Sequence, residues 1–257
     1  MNLNPKTRIA LTYGSAIVAF LAVVIAFGPR SLTENLHPLT SSTTRFDSDS
    51  QTGSWWSKQI AKAKAEANPR YINAISQGRK NLEAEHYTDA IANFNQAVRL
   101  APDNIVAYHG RALARLKVED YNGAIADFTR ILELDPDDVR AYGNRGSAYQ
   151  KLGDIDKALS DYNRALELSP EYTFAYFNRG SLYVELGEYT KALQDFNQTV
   201  ILEPEYAKAF YNRGMVYASL DDIDAAVADL ETAEALFRKQ NNFTASELAL
   251  DAIADLK

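Results

Sequence analysis

Four prolines, Pro102, Pro136, Pro170 and Pro204, stand 34 residues apart, and the sequence between them repeats at the same interval. A fixed period of this length means one small structural unit stacked on copies of itself. Aligned on the prolines, the chain divides into five units: 71–104, 105–138, 139–172, 173–206 and 207–240. Each has a small residue at its eighth position (Gly78, Ala112, Gly146, Gly180, Gly214) and alanine at its twentieth (Ala90, Ala124, Ala158, Ala192, Ala226). Each also has leucine at its thirtieth.

The segments "AYGNRGSAYQKLGDIDKALSDYNRALELSP" and "AYFNRGSLYVELGEYTKALQDFNQTVILEP" resemble the tetratricopeptide repeat, over about residues 71–240. The resemblance implies an all-α fold, a right-handed superhelical solenoid of helix–turn–helix units that binds other proteins. In each unit the small residue of helix A then faces the alanine of helix B, which lets the two backbones approach closely. Aromatics surround that contact: Tyr108, Tyr142, Tyr176 and Phe210 at position 4, Tyr149, Tyr183 and Tyr217 at position 11, and Phe94, Phe128, Tyr162 and Phe196 at position 24. At this spacing they read as core. The proline at position 32 ends helix B, because it lacks an amide proton and disfavours helix in the residue before it.

Position 7 departs from the family's usual leucine. It is Arg111, Arg145, Arg179 and Arg213 in units two to five, and position 23 of the same units is Asp127, Asp161, Asp195 and Asp229. Unit one has Gln77 and Asn93 instead. Residues that appear and vanish together predict an Arg–Asp ion pair across each hairpin.

Before the repeats, residues 9–27 read "IALTYGSAIVAFLAVVIAF", 19 residues without a charge. At about 1.5 Å per residue this spans the hydrocarbon layer of a bilayer. The expectation is a transmembrane helix after a short cytoplasmic terminus, 1–8, and the length favours a signal anchor over a cleaved signal peptide. Lys6, Arg8 and the terminal amine outweigh Arg30, which sends the solenoid to the extracytoplasmic side. Residues 28–54, rich in Ser and Thr, form a disordered tether. Residues 55–68 carry Trp55, Trp56 and Ile60 with Lys58, Lys62 and Lys64, the composition of a helix that caps the first repeat or lies at a membrane interface. Asn68 and Pro69 make a helix start. At the other end Arg238 replaces a fifth proline, so helix B runs on to about Lys239, and Thr244 with Glu247 predicts a capping box opening a polar capping helix, 243–257.

The family's groove is lined by helix A at positions 2, 5, 6, 9, 12 and 13. Position 6 is Ser76, Gly110, Asn144, Asn178 and Asn212, the last three forming an asparagine ladder that can grip an extended peptide backbone. Beside it unit four offers Phe174, Phe177 and Val184, and unit five Lys208, Tyr211 and Met215. In unit three Arg140, Gly143, Ser147 and Gln150 leave room for a bulky ligand side chain. The family's clamp for chaperone carboxylates is incomplete: Asn178 and Lys208 match it, but Gly143, Ser147 and Asn212 do not.

Composition removes other classes. The chain has no cysteine, which excludes disulfides and thiol catalysis. His37, His86 and His109 lie in no metal spacing, and no phosphate-binding glycine loop is present, so neither an enzyme nor a cofactor or metal is expected. Net charge is −7, but residues 1–70 carry eight Lys and Arg against four acids, and residues 71–257 carry 19 against 30. An acidic solenoid is a poor partner for nucleic acid. The expected function is a membrane-anchored scaffold for an extended segment of a protein partner, with an assembly factor for a membrane complex or a secreted protein as alternatives.

Overall fold

The computed structural model describes residues 69–257. The expectations for 1–8, 9–27, 28–54 and 55–68, including Asn68 as a cap, fall outside the described residues. Among those described there are eleven α-helices and no strand: α1 (Pro69–Glu83), α2 (Tyr87–Leu100), α3 (Ile105–Lys117), α4 (Tyr121–Leu134), α5 (Val139–Lys151), α6 (Ile155–Leu168), α7 (Thr173–Glu185), α8 (Tyr189–Leu202), α9 (Ala207–Ser219), α10 (Ile223–Lys239) and α11 (Phe243–Leu256). Each odd-numbered helix from α1 to α9 is a helix A and the next even one its helix B. Each helix packs on the one after it, and helix A also touches helix A of a neighbouring unit.

Both turns follow from single residues. Helix B stops two residues before each proline, and the residue between, Ala101, Asp135, Ser169 or Glu203, has left the helical region, with Asp135 and Ser169 extended. Within each unit the A–B turn needs a positive φ at position 15. Gly153 and Gly187 supply it at no steric cost, whereas Glu85, Glu119 and Asp221 adopt it against their Cβ.

The core is one face of helix B, at positions 20, 24 and 27. Phe94, Phe128, Tyr162, Phe196 and Leu230 at position 24 are fully buried, each contributing roughly 1.5–3 kcal/mol by its burial. Helix A must come close to receive them. A Cβ on Gly146 would lie 3.2 Å from the Ala158 carbonyl oxygen, and one on Gly214 3.1 Å from that of Ala226. Thr199 takes position 27 of its unit and satisfies its buried hydroxyl by donating to the Asp195 carbonyl at 2.9 Å.

Across each hairpin the arginine forks onto the aspartate. Arg145 donates from Nε and Nη2 to Asp161 at 2.8 Å each, Arg179 to Asp195 at 2.8 and 2.7 Å, and Arg213 to Asp229 at 2.7 Å each. Arg111 meets Asp127 in the same way at 2.9 and 2.5 Å. All four carboxylates are buried. The third donor, Nη1, crosses to position 25 of the preceding unit: Asn95, Thr129, Asn163 and Asn197, at 2.7, 3.1, 2.5 and 2.7 Å. One guanidinium therefore ties three helices. The aromatic rings at positions 4 and 11 flank it, as where Arg145 lies 5.6 Å from the Tyr142 centroid and 5.9 Å from that of Tyr149. Unit two puts Arg115 at position 11, and this second arginine also reaches Asp127, at 2.7 Å. In unit one a neutral bond from Asn81 to Asn93, 2.8 Å, stands in for the ion pair.

At the carboxy-terminal end α10 reaches Lys239, and Asn241 makes the turn with φ of 58°. The capping box is a correction. Asn242 caps α11 by accepting from the Ala245 amide at 3.2 Å, which starts the helix at Phe243 and leaves Thr244 already inside it.

Arg179→Ala strands a buried carboxylate and also severs the bond to Asn163. A loss of about 1–3 kcal/mol is expected in chemical denaturation. Replacing Arg179 and Asp195 together by Met and Leu should cost less than the single change. Equal, additive losses in the double-mutant cycle would refute the coupling.

Candidate functional site

Successive A helices present position 6 in a row, and two of the three asparagines there are oriented by their own helices. Asn144 donates its amide to the Arg140 carbonyl at 2.8 Å, and Asn178 to the Phe174 carbonyl at 2.7 Å. A carbonyl oxygen accepts only, so the amide nitrogen must face it, which turns Oδ1 away from the helix as an acceptor. Asn144 is buried, whereas Asn178 and Asn212 are half-buried. Asn212 has no hydrogen-bond partner among the described residues. The amides of the ladder left open to a ligand are thus those of units four and five, with Asn178 presenting its oxygen.

Unit two shows why the ladder starts where it does. A Cβ on Gly110 would lie 2.3 Å from Cζ of Phe94, the core aromatic of unit one, which occupies the space a side chain would need.

Position 5 differs from the sequence expectation. Gly143 leaves no vacant slot for a ligand: a Cβ there would lie 2.7 Å from Cε1 of Tyr172 and 3.2 Å from Cδ1 of Phe174. Phe177 is half-buried, 4.8 Å from Tyr206 and 5.9 Å from Phe196 between ring centroids. Tyr211 is buried, 6.5 Å from Phe237, and burial pushes its hydroxyl up to about 12, helped by Asp251. These two rings are wall rather than exposed lining. Phe174, 36% exposed and 5.7 Å from Tyr172, is the aromatic that remains open to a ligand.

Tyr172 and Tyr206 were not singled out by sequence reasoning. Both stand at position 34, where Asn104 and Asp138 cap the next helix A by accepting from Val106 and Ala141 at 3.0 and 2.8 Å. Neither tyrosine makes a side-chain cap bond. Loss of a capping residue in favour of tyrosine, twice in succession, was the available signal. In unit two the same pair of positions holds His109 and Asp138, joined at 2.9 Å and buried. Burial alone would raise the Asp138 carboxyl, but His109, the Ala141 amide and Arg140 outweigh it and hold the group below its usual range.

The far wall is formed by position 13. Lys117, Lys151 and Glu185 are exposed, yet crowding by neighbouring helices lowers both ammonium groups and raises the carboxyl. Lys117 is held by Glu85, and Lys151 by Glu185 and Glu119. Gln150 donates to Glu185 at 2.7 Å and accepts from the buried Tyr162 hydroxyl at 2.8 Å, so it too is occupied. Arg140, Lys208 and Met215 are half-buried along the same face. Among the described residues no cluster of His, Asp and Glu is arranged to hold a metal ion, and no helix is long and apolar enough to cross a membrane.

Gly110→Asn completes the ladder on paper but collides with Phe94. The variant is expected to lose about 1–3 kcal/mol in thermal or denaturant unfolding. A neutral effect would mean that Phe94 has room to move.

Tetratricopeptide repeat models match residues 139–172, 161–194 and 207–240, and a further TPR repeat model matches 116–153 and 180–221. Among solved structures, TTC0263, a thermophilic TPR protein of Thermus thermophilus, is 23% identical. The alignment covers 70% of this chain and 98% of that one, with a TM-score of 0.59. YrrB, described as a TPR protein with an unusual peptide-binding site, is 25% identical over 75% of this chain and 96% of its own, with a TM-score of 0.52. MamA from Desulfovibrio magneticus is 20% identical over 67% and 98%, with a TM-score of 0.59. A comparison with curated protein sequences returns no match.

Proposed function

We propose that this chain, a tetratricopeptide-repeat protein through residues 116–240, is a membrane-anchored scaffold that holds an extended segment of a protein partner against helix A of units three to five. The observation that carries the reading is the outward amide oxygen of Asn178, with the amide of Asn212 next to it in the row, beside the open ring of Phe174. Amides spaced along a row match the backbone N–H groups of an extended chain, and Phe174 takes an apolar side chain next to them. Arg140, Lys208 and Met215 border the segment, while Phe177 and Tyr211 hold its floor rigid. The likeness to YrrB supports a peptide ligand. The uncharged run 9–27 supplies the anchor and residues 28–54 the tether, with the repeats on the extracytoplasmic side.

In the native membrane, Asn178→Ala combined with Asn212→Ala should abolish cross-linking of partner protein while melting temperature and helical signal stay unchanged. Undiminished capture would move the binding surface off helix A. For the anchor, mass spectrometry of the mature protein is expected to find residues 1–28 retained. Their loss would point to signal cleavage and a released protein.

A further inference from the structure

The last helix carries a surface that closing the stack does not use. Ala245, Ser246, Ala249 and Ile253 of α11 are buried, and α11 packs on α10. On the opposite side Phe243 is 60% exposed and Leu250 46% exposed. With Glu247 and Ala254, also exposed, they fall at i, i+4, i+7 and i+11, one continuous stripe along the helix. Asp251 and Asp255 stand exposed beside it, and Lys257 is drawn off toward Glu231 at 4.0 Å. The end of a solenoid is ordinarily polar on its outer face. This one is apolar and acidic.

The same chain contains a segment of matching spacing and opposite charge. In residues 55–68, Trp56, Ile60, Ala63 and Ala67 recur at i, i+4, i+7 and i+11, and Lys58, Lys62 and Lys64 outnumber the single acid Glu66. It is also the basic end of a chain whose residues 71–257 are strongly acidic. Charge complementarity of this kind selects partner and register. In sequence the segment precedes α1, ten helices before α11.

We propose that residues 55–68 of a second copy dock along the Phe243–Leu250–Ala254 stripe, joining copies head to tail. The Ile60 side chain covers Leu250 and that of Trp56 covers Phe243, and the lysines meet Glu247, Asp251 and Asp255. Such a contact is heterologous: each copy keeps one free end, so association grows with concentration.

Because the chain has no cysteine, single cysteines report the contact directly. Full-length protein in detergent micelles carrying Ile60→Cys is mixed with protein carrying Leu250→Cys and oxidised. Mixed 60–250 disulfide dimers should dominate over both homotypic products. They should vanish when the Leu250→Cys copy also carries Asp251→Lys and Asp255→Lys, and return when the other copy carries Lys58→Glu and Lys62→Glu. Glu247→Cys, exposed on the same stripe, replaces Leu250→Cys if that variant loses helical signal. Three results overturn the proposal: no dimer, homotypic dimers as abundant as mixed ones, or a chain with both cysteines that closes on itself at dilution.

Discussion

A carboxylate buried between two helices is tolerable only if something neutralises it, and in four of the five units that is the arginine at position 7, joined in unit two by Arg115. Its fork geometry satisfies both carboxylate oxygens from helix A, and the remaining nitrogen is left pointing at helix B of the preceding unit, where an Asn or Thr accepts it. Hairpin closure and unit-to-unit register therefore come from the same side chain. Burial pushes the Asp195 carboxyl upward against the pull of Arg179, which shows how closely desolvation and pairing are balanced. Unit one, with no earlier described unit to hold, makes do with two amides.

Fixing the A helices in this way places the groove residues. The ladder begins at Asn144 because the large aromatic of unit one crowds Gly110, and it becomes more exposed at Asn178 and Asn212. The aromatics beside it divide into floor and contact. Tyr172 and Tyr206 give up helix capping to fill space beneath position 5, which leaves Phe174 as the exposed ring. Rigid support under a single open aromatic lowers the ordering cost of binding at that point.

Much of this was legible in the sequence because repeats carry internal controls. Arg and Asp could be paired by comparing five versions of one unit, and the core positions by their recurrence at position 8, 20 and 24. The third arginine bond was not legible, since Asn and Thr at position 25 are unremarkable surface residues until the neighbouring helix is in place. Gly143 misled for a similar reason. A glycine reads as room, but the room was taken by a tyrosine 29 residues later. Thr244 with Glu247 had the pattern of a cap, and Asn242, two residues earlier, reached the free amide first.

The amino-acid sequence by itself determined the 34-residue unit, the helix ends at proline, the buried faces and which charges oppose one another, because each depends on spacing within one hairpin. Tertiary structure decided which helix A positions stay open. That depends on how far side chains from packed helices and the turns between them reach: Phe94 of the preceding unit into Gly110, and Tyr172 and Tyr206, at the ends of their own units, over Gly143 and against Phe177. Such encounters are set by the distance and angle at which the helices pack, which spacing along the chain does not give.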